Sequence, residues 1–121
     1  MTIDQKFIEQ FLDVTTKAAS ASYKFVGKKD KIAADKAAVD SMRNELNKLD
    51  IKGQIVIGEG ELDEAPMLYI GEKVGTTNGP EIDIAVDPLE GTNFAANNQP
   101  GALSVIAIAE KNNLFNAPET Y

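Results

Sequence analysis

Apolar residues recur at helical spacing from about Asp4 to Phe25: Phe7, Phe11, Val14, Ala18, Ala21 and Phe25, with Ile8 and Leu12 widening the stripe. Gly27 and the Lys28-Lys29-Asp30 cluster end that helix. A second helical pattern runs from about Ile32 to Leu49, with Val39, Met42, Leu46 and Leu49 on its apolar face and four alanines near its start. Counting back by fours from Val39 reaches Asp35 and then Lys31. An acid and a base thus head an otherwise apolar stripe, which binary patterning alone does not call for.

The period then changes. Gln54–Gly58 reads as a short buried strand after an Ile51-Lys52-Gly53 turn. Ala65–Val74 fits a helical turn or a strand equally well, and Thr76–Pro80 is a turn-rich loop. Ile82–Asp87 is a second strand closed by Pro88, Gly91-Thr92-Asn93 turns into a short helix or loop, and Leu103–Ala109 is a third strand. Leu114-Phe115 is a candidate fourth strand after a Lys111-Asn112-Asn113 turn. Helices followed by strands predict a layered α/β (α+β) fold.

Composition narrows the chemistry. The 121 residues are 43% hydrophobic and 26% charged, which argues for a packed core in one domain at most. The chain contains no Cys, His or Trp, so disulfides, thiol nucleophiles, thiolate or imidazole zinc sites and histidine bases are excluded. Any metal must have oxygen ligands, which favours Mg²⁺, Mn²⁺ or Ca²⁺. Acid–base chemistry falls to carboxylates, Lys, Tyr or activated water.

The net charge of −7 is unevenly spread: residues 58–90 hold nine acids against one base, Lys73. Nonspecific nucleic-acid binding needs a basic stripe, so no nucleic-acid partner is expected. Met1–Gln5 is polar, with no apolar signal core, and Ala102–Ala109 is too short to span a bilayer. A cytoplasmic location and no membrane partner are therefore the expectation.

Three acids stand out by placement. Glu59 lies between two glycines just past a strand, Asp87 ends a strand before Pro88, and Glu90 follows in a tight turn before Gly91 and Thr92. Open α/β sheets build ligand sites from such strand ends. Carboxylates gathered in one crevice repel unless a cation or proton intervenes. Taken singly, each has a plainer reading. Glu between glycines is usually a surface turn, and Asp-Pro is a common turn initiator. Lys31 and Asp35 could be an i,i+4 surface pair worth about 0.2–0.5 kcal/mol. An EF-hand loop is excluded by the absence of its alternating ligands. Asp83, mid-strand on the side of Asp87, fits solvent exposure, capping or support of a ligand from behind.

The run Asp87-Pro-Leu-Glu-Gly-Thr92 resembles the Asp-Pro-Ile/Leu-Asp-Gly-Thr signature of the lithium-sensitive and sugar phosphatases, with Glu90 in place of the second Asp. Together with Asp30-Lys-Ile-Ala-Ala-Asp35, Ala38-Val-Asp-Ser-Met-Arg43 and the Ile57–Gly75 segment, it resembles the class II, bacterial-type fructose-1,6-bisphosphatases over essentially the whole chain. The resemblance implies the N-terminal part of a layered αβαβα sugar-phosphatase-like fold. Residues 1–121 are then the metal-binding portion of a truncated domain, because members of that family are well over twice as long. One further metal-binding Glu and the basic residues for the second phosphate fall in the part beyond.

The same resemblance implies roles. Asp35, Glu59, Asp87 and Glu90 would bind the catalytic Mg²⁺ or Mn²⁺; Lys31, Thr92 and Glu59 would be catalytic; and Glu90, Gly91, Thr92 and Tyr121 would touch substrate. The expected reaction is hydrolysis of the 1-phosphate of fructose 1,6-bisphosphate, a small-molecule sugar bisphosphate. Alternatives are an impaired remnant acting as a divalent-cation or interaction module, and a phosphatase for another sugar bisphosphate, such as sedoheptulose 1,7-bisphosphate, or for an inositol phosphate. A partly built sheet leaves unpaired edges that invite pairing with another chain, so a homo-oligomer is compatible with this reading.

Overall fold

In the computed structural model, residues 3–62, 65 and 67–117 are described. Helix α1 spans Lys6–Tyr23 and buries Phe7, Phe11, Val14, Ala18 and Ser22 at steps of three and four. Ile8 and Leu12, expected to widen that stripe, are 61% and 62% exposed. Its one packed face is narrower than the sequence suggests. Past the helix, Gly27 takes a left-handed φ of 75°. The amides of Gly27 and Lys29 then donate to the carbonyls of Ala95 and Ala96, tying this connector to the later chain.

Helix α2, Lys31–Asn47, starts at Asp30, whose Oδ1 accepts the Ala33 amide at 3.0 Å as an N-cap. It buries Ala34, Ala38, Val39, Met42 and Leu46. Its small alanines allow close approach of α1. Glu45 clips the pair together, accepting from Lys17 of α1 at 2.8 Å and from Lys48 at 3.0 Å.

The sheet contains β1 (Lys52–Ile57), β2 (Lys73–Val74), β3 (Glu81–Glu90) and β4 (Leu103–Glu110), in the order β2-β1-β3-β4. β1 and β3 are parallel, and the outer pairs are antiparallel. The mixed sheet following two helices is the α+β arrangement the patterning predicts. Ile55, Ile82 and Ile84 face the helices and share one core with Phe11, Met42 and Leu46. On β4, Leu103 and Val105 remain 58% and 44% exposed on the face the helices leave open. Among the described residues no helix is long and apolar enough to cross a membrane.

Two expectations need correction, and two open readings are decided. Pro88 does not close its strand: β3 continues to Glu90 across a register irregularity between Asp87 and Glu90. Pairing with β1 ends at Ala85, so the proline, which lacks a donor, lies where β3 has a neighbour on one side only. Leu114-Phe115 forms no strand. The buried Asp83 carboxylate instead accepts the amides of Asn112 at 2.8 Å and Leu114 at 3.4 Å, so its role is to cap this turn. Among the described residues of the Ala65–Val74 stretch, which fits helix or strand by sequence, Lys73 and Val74 alone pair as strand.

Candidate metal and phosphate site

A cleft of about 690 Å³ opens at the carboxyl ends of β1 and β3, beside the first turns of α2. Lys31, Asp35, Glu59, Asp87, Glu90 and Thr92 all line it. Three elements deliver them. The Asp30 cap fixes where α2 begins, which brings Lys31 and Asp35 to the rim. β1 runs into Gly58-Glu59, and the irregular end of β3 supplies Asp87 and Glu90. Gly91, with φ of 78°, then turns the chain into the short helix α3, Thr92–Ala96, with Thr92 at its first position. A Cβ at Gly91 would lie 2.8 Å from the Phe94 ring, so this turn needs glycine. The crevice at the carboxyl ends of parallel strands is the ligand position general to open α/β sheets.

The acids of the cleft disturb one another. Glu59 is pushed up from 4.5 to about 7, first by burial and then by the charges of Asp35 and Asp87. Asp87 rises from 3.8 to about 6, through burial, the adjacent Glu90 carboxyl and Asp35, with partial relief from the Leu89 amide. Burial also raises Asp35. Lys31 and Asp35 form no ion pair, so the plain i,i+4 reading fails. Lys31 stays exposed at the rim.

The chemistry of this donor set suits a hard divalent cation: every available ligand atom is oxygen, and a cation relieves the repulsion that raises these carboxyls. Among the described residues, however, no three acids are already drawn into a metal-ligating cluster. Of the residues expected to touch substrate, Glu90, Gly91 and Thr92 line the cleft. Tyr121 lies outside the described residues. Sequence reasoning missed the tie between Arg43 and Glu72, whose hydrogen bonds hold the loop bearing Glu59. No sequence signal pairs residues 29 apart on a helix and a loop.

The architecture is a helix-covered mixed sheet with an acid-lined crevice at the ends of its parallel strands. The model of the family described as bacterial fructose-1,6-bisphosphatase, glpX-encoded, matches residues 5–121, and the chain belongs to that family. Curated relatives carry the name D-fructose 1,6-bisphosphatase class 2/sedoheptulose 1,7-bisphosphatase. That of Prochlorococcus marinus (strain MIT 9515) is 55% identical over 119 residues, covering 98% of this chain and 36% of the relative. That of Synechococcus sp. (strain CC9902) is 53% identical with the same coverage. The chain therefore spans little more than a third of the length of these relatives.

Proposed function

We propose that this chain carries the divalent-metal and scissile-phosphate side of a sugar bisphosphatase site that hydrolyses the 1-phosphate of fructose 1,6-bisphosphate. The observation that carries the reading is the meeting of Lys31, Asp35, Glu59, Asp87, Glu90 and Thr92 on one cleft. Family membership supports it. The relatives' double name supports sedoheptulose 1,7-bisphosphate as a second substrate of the same kind.

Asp35, Glu59, Asp87 and Glu90 would hold Mg²⁺ or Mn²⁺. Bound there, the metal supplies charge neutralisation for the phosphate and a water acidic enough to attack it. The remaining steps fall to this chain's residues. The Lys31 ammonium, at the rim without an acidic partner among the described residues, would offset charge on the incoming phosphate oxygens. The Thr92 hydroxyl is available to orient the attacking water toward phosphorus. Glu59, a half-buried carboxylate of the same cleft, would accept one proton from that water. The water oxygen bonds to phosphorus as the phosphorus–oxygen bond to the sugar breaks; one water proton stays on the phosphate, and the other passes through Glu59 and solvent to the departing sugar oxygen. Charge rather than covalent participation is what such a reaction asks of the protein.

The test is phosphate release from fructose 1,6-bisphosphate by this chain, with and without Mn²⁺. Release that depends on the metal supports the reading. Mn²⁺ binding without release from any sugar bisphosphate would leave a cation-binding module.

A further inference from the structure

Glu59 sits on the long connection between β1 and β2, and its place in the cleft depends on what holds that connection. Its amide donates to the Leu68 carbonyl at 2.8 Å, and the Ile70 amide donates to Gly60 at 2.9 Å. Leu68 has a φ of 54°, a left-handed conformation that bulky residues avoid, and its side chain is fully buried. Its carbonyl comes so near the backbone that a Cβ on Gly58 would lie 2.2 Å away. Strained backbone of this kind persists only where its surroundings over-determine it.

The surroundings are ionic. The Leu68 amide donates to Glu72 Oε2 at 3.3 Å. The Glu72 side chain is only 5% exposed, and Arg43 Nε donates to its two oxygens at 3.2 and 3.3 Å. Arg43 projects from α2 about two turns beyond Asp35. Neither Arg43 nor Glu72 lines the cleft. The pair is half-buried, and such a pair is weak evidence for stability as such, since desolvation of Glu72 offsets its attraction. Here it terminates a continuous chain of hydrogen bonds that ends on the Glu59 amide.

We propose that Arg43 and Glu72 are a positioning pair, which through Leu68 fixes Glu59 in the cleft at a set place relative to Asp35 on the same helix as Arg43. The proposal rests on the cleft being a divalent-metal site. Arg43 then acts on the metal only through Glu59.

The test uses the full chain with Arg43→Met, Arg43→Lys and Glu72→Gln, read by amide hydrogen exchange without metal and by Mn²⁺ titration calorimetry. Arg43→Met should speed exchange at the Glu59 and Leu68 amides while leaving Val14 in α1 protected, and should weaken Mn²⁺ by about tenfold, as loss of a ligand's support does. Arg43→Lys should restore part of both. In a Glu59→Gln background, Arg43→Met should leave the residual Mn²⁺ affinity within about twofold, because the residue it acts through is already gone. Unchanged exchange at Glu59, or an equal Mn²⁺ loss in both backgrounds, would overturn the proposal. If Arg43→Met fails to fold, Gly58→Ala displaces the Leu68 carbonyl without touching the ion pair and should give the same two changes. Failure of the wild-type chain to bind Mn²⁺ would overturn the metal reading instead, and the exchange data would still decide whether Arg43 holds Glu59.

Discussion

Asp87 and Glu90 line the same cleft although they are three apart on one strand. In a regular strand residues i and i+3 point to opposite faces. The register irregularity between them, with Pro88 inside it, breaks that alternation and brings both carboxyls to one side. Their proximity is one reason Asp87 is raised to about 6.

The crowding has a consequence for stability. Glu59 and Asp87 have folded pKa values above their ordinary 4.5 and 3.8, at about 7 and about 6. Groups raised on folding favour the native state below their unfolded pKa, and that contribution disappears as pH rises through the folded value. Metal-free protein should therefore lose stability from about pH 3.8 to about pH 7, by on the order of 1 kcal/mol once solvent screening is allowed for. Urea unfolding in EDTA across that range measures it; a flat or rising profile would count against the crowding.

At the other end of the acid range, Glu45 has its carboxyl lowered by hydrogen bonding to Lys17 and Lys48. Its contribution is present above pH 4.5 and is lost as pH falls through the lowered folded value. Glu45→Gln should make the acid-unfolding curve shallower below pH 4.5 and leave Mn²⁺ binding unchanged. The effect on stability near neutrality should be small, as for surface pairs generally. Acid titration by circular dichroism reads both.

Asp83→Ala should cost about 1–3 kcal/mol, because it leaves the Asn112 and Leu114 amides without their acceptor. Exchange at those two amides should quicken while Mn²⁺ affinity stays the same. A large fall in Mn²⁺ affinity would instead give Asp83 a part in supporting the site.

These residues mark what was legible in the sequence. The periods of α1, α2, β1 and β4 are visible because each element buries one face. Ile8 and Leu12 mislead because exposed apolar side chains fit the same spacing. Pro88 reads as a stop, since the one-sided pairing that tolerates it is a tertiary fact. Asp83 fits three readings by sequence, and the Asn112 and Leu114 amides decide among them. Glu59, Asp87 and Glu90 were singled out by strand-end placement, and resemblance added the roles of Lys31 and Thr92. Arg43, Glu72 and Leu68 were invisible, because their tie crosses from helix to loop.

On the proposed mechanism, Thr92 should separate metal binding from turnover. Thr92→Ala should leave Mn²⁺ affinity within about twofold but lower phosphate release by about 100-fold, the scale of a lost proton-handling or water-orienting group. Steady-state phosphate assays beside calorimetry measure the split. Equal losses in both would make Thr92 a ligand rather than an orienting hydroxyl.

The central claim is that the carboxylates of this cleft bind a divalent cation together, and Mn²⁺ titration of the wild-type chain and of Asp87→Asn tests it most directly. Saturable binding to the wild type, weakened at least about tenfold by Asp87→Asn while the metal-free protein stays folded, is the predicted result. Absence of binding, or the same affinity in both proteins, would contradict it.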